Sequence, residues 1–154
     1  MSSEKAIFAA GCFWGIEASF QNINGVISTR VGYTGGNIPN PSYQQVCTGN
    51  THHAEAVEVL FTPAVISFAA LLEHFWHMHD PTQYHQQGPD IGSQYRSAVF
   101  YLNADQQAAA EHSKKQAQQN YALPITTEIT LASEFWSAEE YHQNYVRKRR
   151  GGVG

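Results

Sequence analysis

Cysteine is scarce in this chain of 154 residues, which has Cys12 and Cys47 alone. Two thiols cannot build the disulfide framework of a small secreted domain, so a reducing compartment, the cytoplasm, is expected. Charge is also sparse: 14% of residues are charged, and the net charge of −4 offers no cationic surface for nucleic acid. Long apolar runs are missing too. The longest, Ala64 to Leu72, contains Ser67 and falls short of the ~20 residues that span a bilayer. Met1 to Lys5 lacks the basic segment and apolar stretch of a secretory signal. No membrane and no nucleic acid is therefore expected as partner. An apolar content of 42% suffices to bury one core. A single domain over residues 1–154 is expected, monomeric, with residues 1–4 and 147–154 flexible.

The periodicities place the elements. Ala6 to Ala10 reads as a short buried strand and Ile16 to Phe20 as a short helix. Val26 to Tyr33 is β-branched and aromatic, as strands are. Residues 35–41 read as a loop and 42–48 as a short helical turn. Ala54 to Phe61 is a strand with Val57 and Val59 on one face. Ser67 can cap a helix whose apolar face is Phe68, Leu71, Leu72, Phe75 and Trp76, stopped by Asp80-Pro81. Residues 80–93 form a long loop, and Tyr95 to Tyr101 a further strand. Asn103 caps a polar helix to about Asn120, with Gln106 three residues on. Thr126 to Leu131 is a fifth strand. Ser137 and Glu140 have the spacing of a capping box for a last helix through Val146. The fold class is α+β: a two-layer α/β sandwich with a ferredoxin-like core, a mixed sheet, and an added C-terminal helix and tail.

Within that frame one stretch carries the most chemistry, Gly11-Cys12-Phe13-Trp14-Gly15. Cys12 falls at a strand-to-helix turn with a glycine close on each side for a tight bend. A helix N-terminus offers free N–H groups and the positive end of the dipole, and both favour thiolate. The competing reading is a buried structural cysteine. Glu55 opens a strand and is followed by Ala56 and Val57. Partly buried there, its carboxyl would hold its proton more tightly and serve as a general acid; on an edge strand it would be solvated. Asp90 reads as a turn former, and Tyr43 and Tyr95 as half-buried aromatics.

Taken in order, these stretches resemble the A-class peptide methionine sulfoxide reductases. The match runs from Gly11-Cys12-Phe13-Trp14-Gly15 through Tyr43-x-x-Val46-Cys47-Thr48-Gly49, His53-Ala54-Glu55 and Asp80-Pro81-Thr82. It continues through Asp90-x-Gly92-x-Gln94-Tyr95-Arg96-Ser97 to Phe135-Trp136 and Tyr141-His142-Gln143-Asn144-Tyr145. The resemblance implies a thiol-dependent repair enzyme without cofactor or metal. Cys12 would attack the sulfoxide sulfur of methionine S-sulfoxide, protein-bound or free, and become a sulfenic acid. Phe13 and Trp14 would hold the S-methyl group. Glu55 would protonate the oxygen, Tyr43 and Tyr95 would hydrogen-bond it, and Asp90 would organise the polar network.

Two positions depart from the family. The glycine-rich tail carries no resolving cysteine, so thioredoxin or another thiol would reduce Cys12 directly. Cys47 reads as a core residue. A Cys12–Cys47 bridge is the alternative and needs Cα atoms within about 7 Å. His52 stands where the family usually has glycine, which restricts the loop ahead of Glu55.

Other readings come from the histidines. His52-His53, His74-x-x-His77-x-His79 and His85 could bind a metal. His53 or His142 could activate Cys12 in a Cys–His hydrolase. The aromatic pocket could also serve a binding module without chemistry. The basic run Arg147 to Arg150 reads as a solvated helix end complementing the dipole.

Overall fold

A computed structural model of the chain describes residues 2–151. Strand β1 (Glu4–Ala10) leads through a turn to helix α1 (Phe13–Gln21) and strand β2 (Val26–Thr34). Helix α2 (Tyr43–Cys47) precedes β3 (Ala54–Phe61) and α3 (Phe68–His77). The ribbon of β4 (Gln86–Gln87) and β5 (Asp90–Ile91) comes next, then β6 (Ser97–Tyr101) and α4 (Ala104–Gln118). Strands β7 (Glu128–Leu131) and β8 (Trp136–Ser137) and helix α5 (Tyr145–Gly151) complete it.

Six strands form a mixed sheet in the order β7-β6-β1-β3-β2-β8. The inner four, β6-β1-β3-β2, are antiparallel throughout, and β7 adds in parallel to β6. With α1 and α3 as crossovers this is the split βαβ core expected from the element order. The central place of β1 explains its unbroken apolar run, because both of its faces are covered. Ala6, Phe8 and Ala10 join the main core, while Ile7 and Ala9 pack with Ala54, Ala56, Ala98 and Phe100. Phe8 is the hub: its ring lies 4.9 Å from Phe20 of α1 and 5.3 Å from Phe75 of α3.

Local caps behave as their chemistry requires. Ser67 accepts from Ala70 N, Asn103 from Gln106 N, and Ser42 with Gln45 makes a full capping box on α2.

The C-terminal third differs from expectation. Ser137 does not cap a helix. It pairs with Gly32 as part of β8, and its hydroxyl accepts from Arg30. The free edge of β2 thus outcompetes a local cap. Residues 140–142 form a 3₁₀ turn and α5 starts only at Tyr145. That helix runs through Gly151, so the tail expected to be flexible from Arg147 is helical there. Lys148 N donates to Asn144 O, and Arg149 covers the Tyr145 ring at 4.6 Å. The rest of the tail, and Met1, lie outside the described residues. Glu4, placed among the flexible residues, is the first of β1. The loop over 80–93 holds the β4–β5 hairpin, turned by Gly88-Pro89. Tyr95 ends a 3₁₀ turn rather than opening a strand.

Candidate active site

Cys12 is the N-cap residue of α1, with φ −56° and ψ 120°. The bend ahead of it depends on Gly11, at φ +101°, where a Cβ would sit 2.9 Å from Cβ and Cγ of Gln87. Gly15, expected to tighten the same bend, lies within α1, where a Cβ would meet nothing. The Cys12 thiol is half-buried and is pushed above its ordinary pKa by desolvation. The N–H groups of Trp14 and Gly15 pull it down, and the charges of Glu55 and Asp90 push it up. The helix terminus therefore acts as expected on the sulfur, but burial outweighs it.

Glu55 is 1% exposed. It lies opposite Tyr33 on the sheet face that α1 covers, in the row of Val57, Val59 and Phe61. One carboxyl oxygen, Oε1, accepts from Phe13 N at 3.2 Å, the amide next to Cys12. The other, Oε2, is buried with no partner among the described residues. Burial pushes this carboxyl up to about 8, so at neutral pH it carries a proton. With Oε1 accepting, that proton belongs on Oε2. The solvated-edge reading of Glu55 is set aside by its burial.

Two phenols join the set. Tyr43 opens α2 and Tyr95 ends the 3₁₀ turn, both half-buried. Burial and then the charge of Glu55 push Tyr95 up to about 12. Burial likewise raises Tyr43, followed by its partner Cys47. Both therefore remain hydroxyl donors. Asp90 pairs with Gln87 in the β4–β5 hairpin and faces a cavity of about 500 Å³ that Cys12, Trp14, Met78, Gln87 and Tyr145 also line. Gln87 clamps the chain there: its amide accepts from Asp80 N and donates to Asp80 O.

The aromatic wall is larger than the sequence indicates. Phe13 is 1% exposed, and its ring packs against Tyr33 and His142. Trp14 stacks on Tyr145 at 3.9 Å and donates its Nε1–H to His142 Nδ1 at 2.9 Å. His142, fully buried, also packs against Tyr43 at 4.4 Å. Glu139 ties the wall to the sheet by accepting from Tyr33 Oη and Tyr43 N. Apart from Phe13 and Tyr33, the partners lie about a hundred or more positions apart, so sequence spacing does not reveal these pairings.

Cys47 is exposed, not a core residue: α2 turns Val46 inward and leaves the thiol outside, beside the Tyr43 hydroxyl. Both thiols are free. The histidines invoked for other chemistry have other partners. His53 accepts from Gly36 N and bonds Ile38 O, so neither ring nitrogen serves Cys12. His142 Nδ1 is taken by Trp14. His79 uses both nitrogens on Phe75 O and Ser97 Oγ, and His74 and His77 are exposed on α3. Among the described residues no three His, Cys, Asp or Glu side chains come together as a metal site. No helix among them is long and apolar enough to cross a membrane.

A family model described as peptide methionine sulfoxide reductase matches residues 4–153. The peptide methionine sulfoxide reductase MsrA of Methanosarcina acetivorans is 54% identical over 148 residues, covering 95% of this chain and 79% of that protein. Among solved structures, reduced Mxr1 from Saccharomyces cerevisiae superposes with TM-score 0.91 at 35% identity, covering 99% of this chain and 88% of that one. Mxr1 in complex with Trx2 shares the fold, with TM-score 0.67 at 23% identity and coverages of 93% and 84%.

Proposed function

The chain belongs to the peptide methionine sulfoxide reductase family, and from that premise we propose how its residues carry out the reduction of methionine sulfoxide. Cys12 is the nucleophile. Its sulfur attacks the sulfoxide sulfur while Glu55 delivers the Oε2 proton to the oxygen. The S–O bond to methionine breaks and the oxygen ends on Cys12 as a sulfenic acid. The thiol proton replaces the one that Glu55 gave, so the sum is a thiol plus a sulfoxide giving a sulfenic acid plus a thioether. An oxide is a poor leaving group until protonated, so thiol and acid must act as a pair.

The single observation that carries this reading is the Glu55 carboxyl. It is buried and protonated at neutral pH, one oxygen is held by the amide after Cys12, and the other has no partner among the described residues. A buried polar atom left so is costly unless a ligand completes it. Tyr43 and Tyr95 bind the same oxygen, and Asp90 organises the polar side of the cavity. Phe13 and Trp14 receive the S-methyl group, which asks for no polar partner. Fixing methyl, oxygen and sulfur distinguishes the two epimers, and the S form is the proposed substrate, free or within a peptide chain.

An external thiol then attacks the sulfenic acid, releasing water and leaving a mixed disulfide that a second thiol reduces. Thioredoxin is the proposed donor, in keeping with the yeast relative solved with Trx2. Such a cycle suits a reducing compartment, for which the cytoplasm is proposed, and a single-domain monomer. Cys47, facing Tyr43 from outside, takes no part. Cys12→Ser should abolish reduction of methionine S-sulfoxide by dithiothreitol, whereas Cys47→Ser should keep multiple turnovers. Substantial turnover in the Cys12 variant would refute the assignment.

A further inference from the structure

One buried carboxyl remains outside this mechanism. Glu17 is 1% exposed, one helical turn after Phe13 on α1. Its Oε2 accepts from Thr29 Oγ1 at 2.7 Å and its Oε1 from Asn144 N at 2.9 Å. Gln21, one turn further along the same face, donates to Thr29 Oγ1 and to Asn144 Oδ1. Asn144 is thus gripped at its amide and its side chain, and its carbonyl accepts from Lys148 N. It stands at φ 55°, the left-handed region that a non-glycine residue enters at some cost. The residue after it, Tyr145, is the one that stacks on Trp14 and lines the Cys12 cavity.

From this geometry we propose that Glu17 is a positioning residue: by holding Asn144 it seats Tyr145 against Trp14 and so fixes where the Trp14 ring stands in the methyl pocket. The helix that begins at Cys12 carries both the pocket wall, Phe13 and Trp14, and the anchor for the ring stacked on Trp14. A buried carboxyl group hydrogen-bonded to β2 and to the residue ahead of α5 is a costly way to hold a segment. It is warranted where that segment must be placed to a fraction of an ångström. The gain is selectivity, since one methylene in a tight apolar pocket is worth roughly 10–200-fold in rate. Glu17 touches no substrate and acts through Asn144 and Tyr145.

The inference rests on the reading of Phe13 and Trp14 as the methyl seat. Its test compares methionine sulfoxide with the S-ethyl homologue, ethionine sulfoxide, both as N-acetyl compounds with dithiothreitol. The native enzyme should favour methyl by at least about tenfold in kcat/KM. Glu17→Ala should bring the ratio within about threefold of unity, chiefly by raising KM for the methyl substrate, with iodoacetamide alkylating Cys12 at the native rate. Glu17→Gln, which still accepts from Asn144 N, should keep most of the preference. Asn144→Val, which resists φ 55°, should reproduce the Ala result even if Glu17→Ala does not fold, and Asn144→Gly should lose less. A native preference retained in both Glu17→Ala and Asn144→Val, or lost equally in Glu17→Gln, overturns the role of Glu17. No preference in the native enzyme would overturn the methyl-seat reading itself, and the role of Glu17 with it.

Discussion

The indole of Trp14 and the imidazole of His142, 128 positions apart in sequence, share a hydrogen bond of 2.9 Å. Nδ1 of His142 accepts, so its remaining proton sits on Nε2, which is buried without a partner among the described residues. Burial depresses the imidazole pKa, so the ring is held in the neutral form that can accept from Trp14. This bond ties the wall next to Cys12 to the segment ahead of α5.

Replacing His142 by Phe should therefore strand the indole N–H. A half-buried donor losing its acceptor costs about 1–3 kcal/mol, and urea unfolding should register that loss. KM for methionine sulfoxide should rise more than kcat falls, because Trp14 is displaced while Cys12 and Glu55 are not. An unchanged KM would show that Trp14 needs no support from His142.

Glu55 should make the native enzyme less stable than its neutral analogue. Its carboxyl ionises near 4.5 in an unfolded chain and about 8 in the fold. The folded value is the raised one, so the stability that protonation lends is complete below 4.5 and is lost as pH climbs through about 8. Glu55→Gln escapes this loss and keeps an acceptor for Phe13 N. At pH 7 it should be about 3 kcal/mol more stable than the native chain, with the gap closing as pH falls toward 4.5. Its single-turnover rate should collapse, and the native rate should decline as pH passes about 8. Urea midpoints across that pH range, with stopped-flow single turnovers, check both halves.

His52 stands in the left-handed region at φ 62°, exposed, two residues before β3. The departure from glycine noted in the sequence is thus a strained backbone. His52→Gly should raise stability by about 0.5–1 kcal/mol, the strain relieved being offset by the greater freedom of an unfolded glycine. Turnover should remain at the native level. Destabilisation in thermal unfolding would mean that the imidazole makes contacts worth more than the strain.

Much of the chemistry was legible because it depends on local pattern. An apolar run, a glycine and a cysteine suffice to place Cys12 at a helix N-terminus, and Ser67 and Asn103 announce their caps. What escaped depends on partners far away in sequence. Glu17 reads as an ordinary charged residue until the fold buries it, and the sequence leaves Glu55 open between a buried acid and a solvated edge residue until the fold decides. The pattern places the last helix too early because Ser137 and Glu140 have capping spacing, yet the open edge of β2 claims Ser137 first. Cys47 departs from the core reading because a five-residue helix with one buried position leaves its last side chain outside.

The account is tested most directly by the mass of the intact protein after one equivalent of methionine S-sulfoxide without reductant. It predicts one methionine released per chain and a single added oxygen, mapped to the peptide bearing Cys12. Methionine released with no change in mass, or oxygen found on Cys47 instead, would contradict it.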